Sequence, residues 1–253
     1  MKLYTLGTSH GAVEGGRACS ANLVEVGGVY YLFDCGTATE LRLGEVGINP
    51  TDVRAVFISH MHEDHVGGIS SIIKRFTAYN PEMKHTAIYL ADESAKAALS
   101  AWIDTVYPYR WTGERFMTEF STCFELKAVE EGTFYDDGNL KVRAIPTRHS
   151  ANGRFPSFAF VFEGEGKRVF YTGDLNACFS DFPTELLDTP LDLMLSELVH
   201  FNVSTAYPVV SRMQTKRLVF THYSKRKLGE LASANVTFPF QTDIARDRDV
   251  FEI

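Results

Sequence analysis

Ser59-His60-Met61-His62-Glu63-Asp64-His65 follows an apolar run at residues 55–58 and precedes two glycines at positions 67 and 68. Three imidazoles and the carboxylate of Asp64 therefore follow the end of a predicted buried strand. Both groups are ligands for zinc and similar ions, and packing so many titratable groups without a cation would leave their desolvation uncompensated. The stretch predicts a metal-binding loop between a strand and a helix rather than a solvated polar loop.

The chain around this stretch alternates predicted strands and helices. Apolar runs at 22–26 and 29–33, joined by Gly27-Gly28, predict a β-hairpin whose second strand ends at Asp34. Helices are predicted at 37–48, from Gly67 or Gly68 onward, at 93–102 and at 206–215. The other predicted strands are 3–6, 54–59, 86–90, 126–129, 132–135, 140–146, 157–163, 168–172, 191–195, 217–220 and a closing edge strand at 247–253.

The composition predicts one globular domain spanning residues 1–253. The chain has 45% hydrophobic residues, no linker and no repeat, and its net charge of −7 argues against an extensive basic surface for nucleic acid. The amino terminus lacks a secretory signal and no apolar segment is long enough to span a bilayer, so we expect a cytoplasmic protein with no membrane association. The four cysteines are far apart in sequence, which predicts small buried side chains rather than disulfides.

Ligand-type residues recur at the ends of later predicted strands. In layered α/β proteins the loops at one end of the sheets converge, so residues distant in sequence can meet there. Seven nitrogen and oxygen ligands are too many for one tetrahedral ion and suit two divalent ions with a shared carboxylate. Zinc is the first expectation, with manganese or iron as alternatives. The candidate ligands are His60, His62, Asp64, His65, His149, Asp174 and His222.

This motif set resembles the metallo-β-lactamase superfamily over nearly the whole chain. The segments at 6–8, 33–36 and 221–226 further resemble the ribonuclease Z branch and related small phosphodiesterases. The resemblance implies an α/β fold, a four-layer αββα sandwich of two mixed β-sheets. It also implies how the ligands divide: one metal takes His60, His62 and His149, the other takes Asp64, His65 and His222, and Asp174 bridges them.

The resemblance further implies catalytic roles for three residues. In the ribonuclease Z branch a histidine upstream of the last ligand is thought to donate a proton, and His200 matches it. Glu197 matches the acidic residue that supports this histidine, and Asp64 would orient a hydroxide that bridges the two metals. The competing interpretation is that His200 only covers the core beside Phe201.

The chain departs from ribonuclease Z between two of its ligand motifs. In ribonuclease Z an arm that grips transfer RNA lies there, whereas here His149 and Asp174 are separated by only 25 positions (174 − 149) with a predicted hairpin between them. The missing arm and the acidic charge favour a small-molecule or short nucleotide substrate over extended nucleic acid. We therefore expect a binuclear metal-dependent phosphodiesterase.

Several alternatives stay open at the level of sequence. A carboxylic-ester, thioester or lactone hydrolase would use the same two-metal site, and the aromatic segment 107–111 could favour an apolar acyl chain. A ribonuclease Z-type tRNA endonuclease and a non-catalytic binding module are weaker hypotheses, and a homodimer is left open. The basic run at 225–227 could contact a phosphate or form a solvated face.

Overall fold

The computed structural model describes residues 1–106, 123–149 and 153–253. Apolar alternation in the sequence becomes strands that bury one or both faces, and 3.6-residue periodicity becomes helices. The described strands are β1 Lys2–Gly7, β2 Ala21–Val26, β3 Val29–Phe33, β4 Val53–Phe57, β5 Thr86–Leu90, β6 Phe124–Ala128, β7 Gly132–Asp136, β8 Lys141–Thr147, β9 Ser157–Gly164, β10 Lys167–Tyr171, β11 Leu193–Leu198, β12 Arg217–Tyr223, β13 Gln241–Ile244 and β14 Asp249–Glu252. The described α-helices are α1 Thr39–Glu45, α2 Glu63–Val66, α3 Ile69–Ala78, α4 Glu93–Val106, α5 Val203–Val210 and α6 Lys225–Ser233.

These strands form two seven-stranded mixed sheets. The first has the order β14-β1-β2-β3-β4-β5-β6, and the second has the order β13-β12-β11-β10-β9-β8-β7. In the first sheet β3 to β6 are parallel neighbours and the remaining pairs are antiparallel. In the second sheet β10 to β13 are parallel and the other pairs antiparallel. Each sheet thus joins an antiparallel half to a parallel half.

Helices cover the outer faces of the two sheets. Between the sheets lies a buried core rich in aromatic side chains, in which Phe33 stacks on Phe162 with ring centroids 4.4 Å apart. Ile72 and Phe76 of α3 pack on the outer face of the first sheet. Val203 and Val210 of α5 pack on that of the second. The predicted four-layer αββα sandwich is confirmed.

The topology brings the predicted ligand positions to one edge. The parallel strands β3 and β4 of one sheet, and β10, β11 and β12 of the other, end at the residues that carry ligand-type side chains. Strand β8 is antiparallel to β9, which is antiparallel to β10, so β8 also ends at this edge, two residues before His149. One rim of the sandwich therefore collects side chains from the ends of six strands.

Several element boundaries differ from the sequence-based expectation. The helix predicted at 206–215 is Val203–Val210, with Asn202 as its N-cap residue and Ser211 as its C-cap residue. Helix α6 and strand β13 were not predicted, whereas the closing strand at the sheet edge is confirmed as β14 against β1. Cys178 is exposed, so the expectation that all four cysteines are buried is wrong for this residue.

The aromatic segment 107–111 lies outside the described residues. Within the described ranges, no helix is both long enough and apolar enough to cross a bilayer. Residues 157–171 form the β9–β10 hairpin expected between the His149 and Asp174 motifs.

The core between the sheets predicts a clear stability effect. We expect Phe162→Ala to lower the free energy of unfolding by about 3–5 kcal/mol, because it removes a ring that is 1% exposed and stacked on Phe33. Urea denaturation of both proteins measures the change. Leu41→Ala, on α1 with 59% exposure, serves as the control and should change stability by less than about 0.5 kcal/mol. Equal effects of the two substitutions would contradict the proposed packing.

Candidate metal centre

The loop after β4 delivers four of the ligand-type side chains. His62 is the N-cap residue of the short helix α2, which contains Asp64 and His65. The loop is packed tightly against the preceding strand end, since a Cβ atom at Gly68 would lie 2.2 Å from the carbonyl oxygen of Gly36. Glycine is required at position 68 for this approach, which explains why glycines follow the histidine cluster in the sequence.

Three imidazoles converge in a first group. The Nδ1 atom of His62 lies 2.9 Å from Nε2 of His60 and 3.2 Å from Nε2 of His149. Oδ2 of Asp174 lies 3.7 Å from Nε2 of His60 and 3.6 Å from Nε2 of His149. One ligand atom from each of these four residues falls within 4.8 Å of the others, so the group could hold a metal ion.

A second group lies on the other side of Asp174. The Nε2 atoms of His65 and His222 lie 3.6 Å and 3.7 Å from Oδ2 of Asp64. Oδ1 of Asp174 lies 3.3 Å from Nε2 of His65 and 3.4 Å from Nε2 of His222. Asp174 thus directs one oxygen to each group, which is the arrangement of a shared ligand. Of the four, His65 is fully buried.

Two atoms of this centre have no hydrogen-bond partner although they are buried. These are Nε2 of His65 and Oδ1 of Asp174, which face each other. A buried polar atom without a partner is costly, and both atoms would be satisfied by a cation between them. The nitrogen and oxygen donor set fits divalent metal ions, and the centre contains no thiolate. The residues present therefore fit a divalent metal site.

Oxygen atoms behind the imidazoles fix their orientation. The Nδ1 atoms of His149 and His222 lie 3.2 Å and 2.9 Å from the carbonyl oxygens of Leu175 and Ser9. When Nδ1 donates to an oxygen, Nε2 keeps its lone pair for the centre. His222 has a φ of 46°, in the left-handed region that costs a non-glycine residue energy, and these contacts hold it there.

Asp34 is the main support behind the second group. Its carboxylate accepts hydrogen bonds from the backbone N–H and the hydroxyl of Ser59, at 2.7 and 2.9 Å. It also lies 2.8 Å from Nδ1 of His65 and accepts a hydrogen bond of 2.5 Å from Tyr171 of the opposite sheet. Asp34 is fully buried, with a φ of 61°. One carboxylate thus connects both sheets to a candidate metal ligand.

His200 stands beside the two groups and contacts Glu197. Its Nδ1 atom lies 2.9 and 3.0 Å from the two carboxylate oxygens of Glu197, which is fully buried. The same nitrogen is 3.7 Å from Oδ2 of Asp174, and the His200 ring lies 4.4 Å from that of His149. The expected His200–Glu197 pair is therefore present in the structure.

The environment shifts the pKa of several histidines in opposite directions. Burial lowers the pKa of His60 and His149, so both rings are neutral and retain a lone pair. Burial also disfavours the charged form of His200, but the hydrogen bond and the charge of Glu197 outweigh it and raise its pKa to about 9. Burial likewise opposes protonation of His65, but Asp174 and Asp34 hold its pKa well above the usual value.

All seven sequence-predicted ligand positions come together at the rim, and His200 joins them. A third grouping of Asp174, His200 and His222 also falls within 4.8 Å, so His200 could itself approach a metal. His10 is in none of the three groups. In the sequence Asp34 stands out only as a carboxylate at a strand end, because the three residues that its side chain contacts, Ser59, His65 and Tyr171, come from distant positions and follow no local motif.

A family model provides the deciding comparison. Residues 1–236 match the model described as anti-Pycsar protein Apyc1. The chain belongs to the Apyc1 family. It is also a metallo-β-lactamase superfamily protein of the ribonuclease Z branch, a group of metal-dependent hydrolases. The match includes the whole candidate metal centre, from His60 to His222.

Individual relatives of this Apyc1 family member agree with that placement. Ribonuclease Z of Mycobacterium sp. (strain KMS) is 25% identical over 278 residues, which include 100% of this chain and 96% of the relative. The metallo-β-lactamase fold protein YhfI from Bacillus subtilis has a TM-score of 0.76 at 20% identity, covering 99% and 98% of the two chains. A diphosphatase of the PhnP family has a TM-score of 0.73 at 17% identity, covering 100% and 97%. The two structures show a shared fold.

The position of Asp34 predicts an effect on metal binding. We expect Asp34→Asn to weaken metal affinity by about 10–100-fold, because the amide supports His65 less well than the carboxylate does. Competition with a chromophoric chelator measures the affinity. Asp52→Asn, which changes a partly exposed carboxylate paired with Lys84, is the control and should bind metal as the unmodified protein does. Unchanged affinity in Asp34→Asn would exclude this supporting role.

Proposed function

We propose that this protein hydrolyses a phosphodiester bond in a small substrate. The two groups at the rim would hold two divalent cations, for which zinc is the first candidate. The observation that carries the proposal is the His200–Glu197 pair next to a centre in which Asp174 offers one oxygen to each group. A protonated histidine beside such a centre suits a reaction in which a leaving alkoxide needs a proton.

The cations would be divided between the groups as the donor atoms are. His60, His62 and His149 would hold one ion, Asp64, His65 and His222 the other, and Asp174 both. Bound there, such cations supply water of lowered pKa and neutralise charge that develops on the substrate oxygens. Asp64, held beside the nitrogens of His65 and His222, would also accept a hydrogen bond from the attacking water and orient it.

The proposed reaction balances with one water molecule. The water oxygen forms a bond to phosphorus, the bond between phosphorus and the leaving oxygen breaks, and His200 transfers a proton to that oxygen. The products are a phosphomonoester and an alcohol. The proton released by the water restores the charge of His200, directly or through solvent. Glu197 would hold the imidazole in place and stabilise its protonated form.

The connection between His149 and Asp174 supports a small substrate. Residues 157–171 form one hairpin, and both of its strands belong to the second sheet, so they provide no protruding arm. The net charge of −7 also disfavours a long polyanion unless it is met locally. The relatives named ribonuclease Z and diphosphatase are consistent with phosphoryl chemistry on this fold.

Two substitutions should separate metal binding from turnover. We expect His200→Ala to keep its metal content and to lose about 100-fold or more in kcat on the cyclic nucleotide, because only the donor of a proton to the leaving alkoxide is removed. His62→Ala should lose metal, because His62 offers the nitrogen nearest to both His60 and His149. Elemental analysis and kinetics on an aryl phosphodiester, a cyclic nucleotide, a lactone, a thioester and a β-lactam measure both effects.

The control for these variants is His85→Ala, since His85 is exposed and lies outside the three groups. It should retain both metal and activity. Undiminished hydrolysis of the cyclic nucleotide by His200→Ala would overturn the proton-donor assignment. Activity on the lactone or thioester with none on either phosphodiester would select the acyl hydrolase instead. Fewer than about one metal per chain after metal-supplemented expression would overturn the two-metal assignment.

A further inference from the structure

A buried lysine lies behind the segment that carries His200. Lys227 is only 2% exposed, although its neighbours Lys225 and Arg226 are exposed. It belongs to α6, the helix that begins three residues after His222. A buried ammonium group carries a large desolvation cost unless it is paired and hydrogen-bonded, so its contacts at this position need an explanation.

The ammonium group of Lys227 contacts the residues that follow His200 and one glutamate of its own helix. Its Nζ atom donates hydrogen bonds to the carbonyl oxygen of Phe201 at 2.5 Å and to Oδ1 of Asn202 at 3.3 Å. It also forms an ion pair of 2.9 Å with Glu230, one turn further along α6. The other carboxylate oxygen of Glu230 accepts a hydrogen bond of 2.8 Å from the N–H of Val203.

Glu230 provides what the sequence at the start of α5 does not. Asn202 is the N-cap residue of α5, but its side chain accepts no capping hydrogen bond from the helix. The first N–H group of a helix needs an acceptor, and Glu230 supplies one to Val203. The Lys227–Glu230 pair therefore fixes both the carbonyl side and the N–H side of residues 201–203.

The segment is fixed equally on the other side of His200. The backbone N–H groups of Val199 and His200 donate to one oxygen of Glu197, at 3.0 and 2.9 Å. Glu197 thus holds residues 199 and 200, and Lys227 with Glu230 holds residues 201–203. Displacement of a catalytic group by about 1 Å can cost about 100-fold in rate, so such anchoring affects turnover directly.

We propose that Lys227 is a positioning residue that, with Glu230, places His200 for proton transfer to the leaving group. The inference rests on the proposed role of His200. It also assigns one member of the basic run at 225–227, for which the sequence offered a phosphate contact or a solvated face. Lys227 does neither, because its ammonium group is buried against the backbone of Phe201.

The test compares two substrates that differ in their need for a proton. The p-nitrophenolate of bis(p-nitrophenyl) phosphate departs without protonation. The ribose oxygen of a cyclic nucleotide needs a proton in order to depart. We expect Lys227→Met to lower kcat for the cyclic nucleotide by about 10–100-fold and for the aryl ester by less than about threefold. Metal content should not change. His200→Ala should show the same selectivity, and the double variant should be no slower than His200→Ala.

A matched control and a second variant keep the result interpretable. Lys96→Met removes a helical lysine that, like Lys227, pairs with a glutamate three residues away, but on a more exposed surface, and it should leave both rates unchanged. If Lys227→Met does not fold, Glu230→Gln removes the ion pair while keeping an acceptor for Val203. It should show a smaller loss with the same selectivity for the cyclic nucleotide.

Each outcome decides between the two proposals. One outcome is that His200→Ala loses more activity on the cyclic nucleotide than on the aryl ester, whereas Lys227→Met or Glu230→Gln loses equally on both substrates. This outcome would overturn the positioning role and leave the proposed function intact. No selectivity in His200→Ala itself would overturn the proton-donor role, and the inference about Lys227 with it. Full activity of Lys227→Met on the cyclic nucleotide would also exclude positioning.

Discussion

Five imidazoles and two carboxylates share a mostly buried volume at the seam between two sheets. The contacts of the surrounding residues at the rim depend on this crowding of titratable groups. Burial of such groups is unfavourable unless each has a partner. The partners come from behind: carbonyl oxygens face His149 and His222, and Asp34 faces His65. Because Tyr171 of the second sheet donates to Asp34 of the first, the support is shared across the seam.

The sequence was most informative where ligands are contiguous or follow a strand. The cluster from His60 to His65 is visible in a single stretch, and the later candidates follow apolar runs that became β8, β10 and β12. Parallel strands end at one edge, which is why residues so far apart could be predicted to meet. The seven positions do converge, while their metals and roles stay part of the proposal.

What the sequence could not predict depends on partners that are distant in the chain. From the sequence, Lys227 could contact a phosphate or belong to a solvated face, and its burial follows only from the way α6 packs beside the segment after His200. Helix α6 has few apolar residues in its sequence, and it is stabilised by the packing of Leu228 and Leu231 against the second sheet. Strand β13 is short and polar, and parallel pairing with β12 makes it a strand. Tertiary contacts decide all three cases.

Anchoring at strand ends has a consequence for how this fold can diversify. Each side chain at the rim is fixed by the sheet beneath it. A change in the length of the loop that connects two such side chains therefore leaves their positions nearly unchanged. The 25 positions between His149 and Asp174 contain one hairpin, and a longer excursion could start there without disturbing either residue. Substrate range and bond-breaking chemistry can therefore evolve separately, by insertion and deletion in one case and by point substitution in the other.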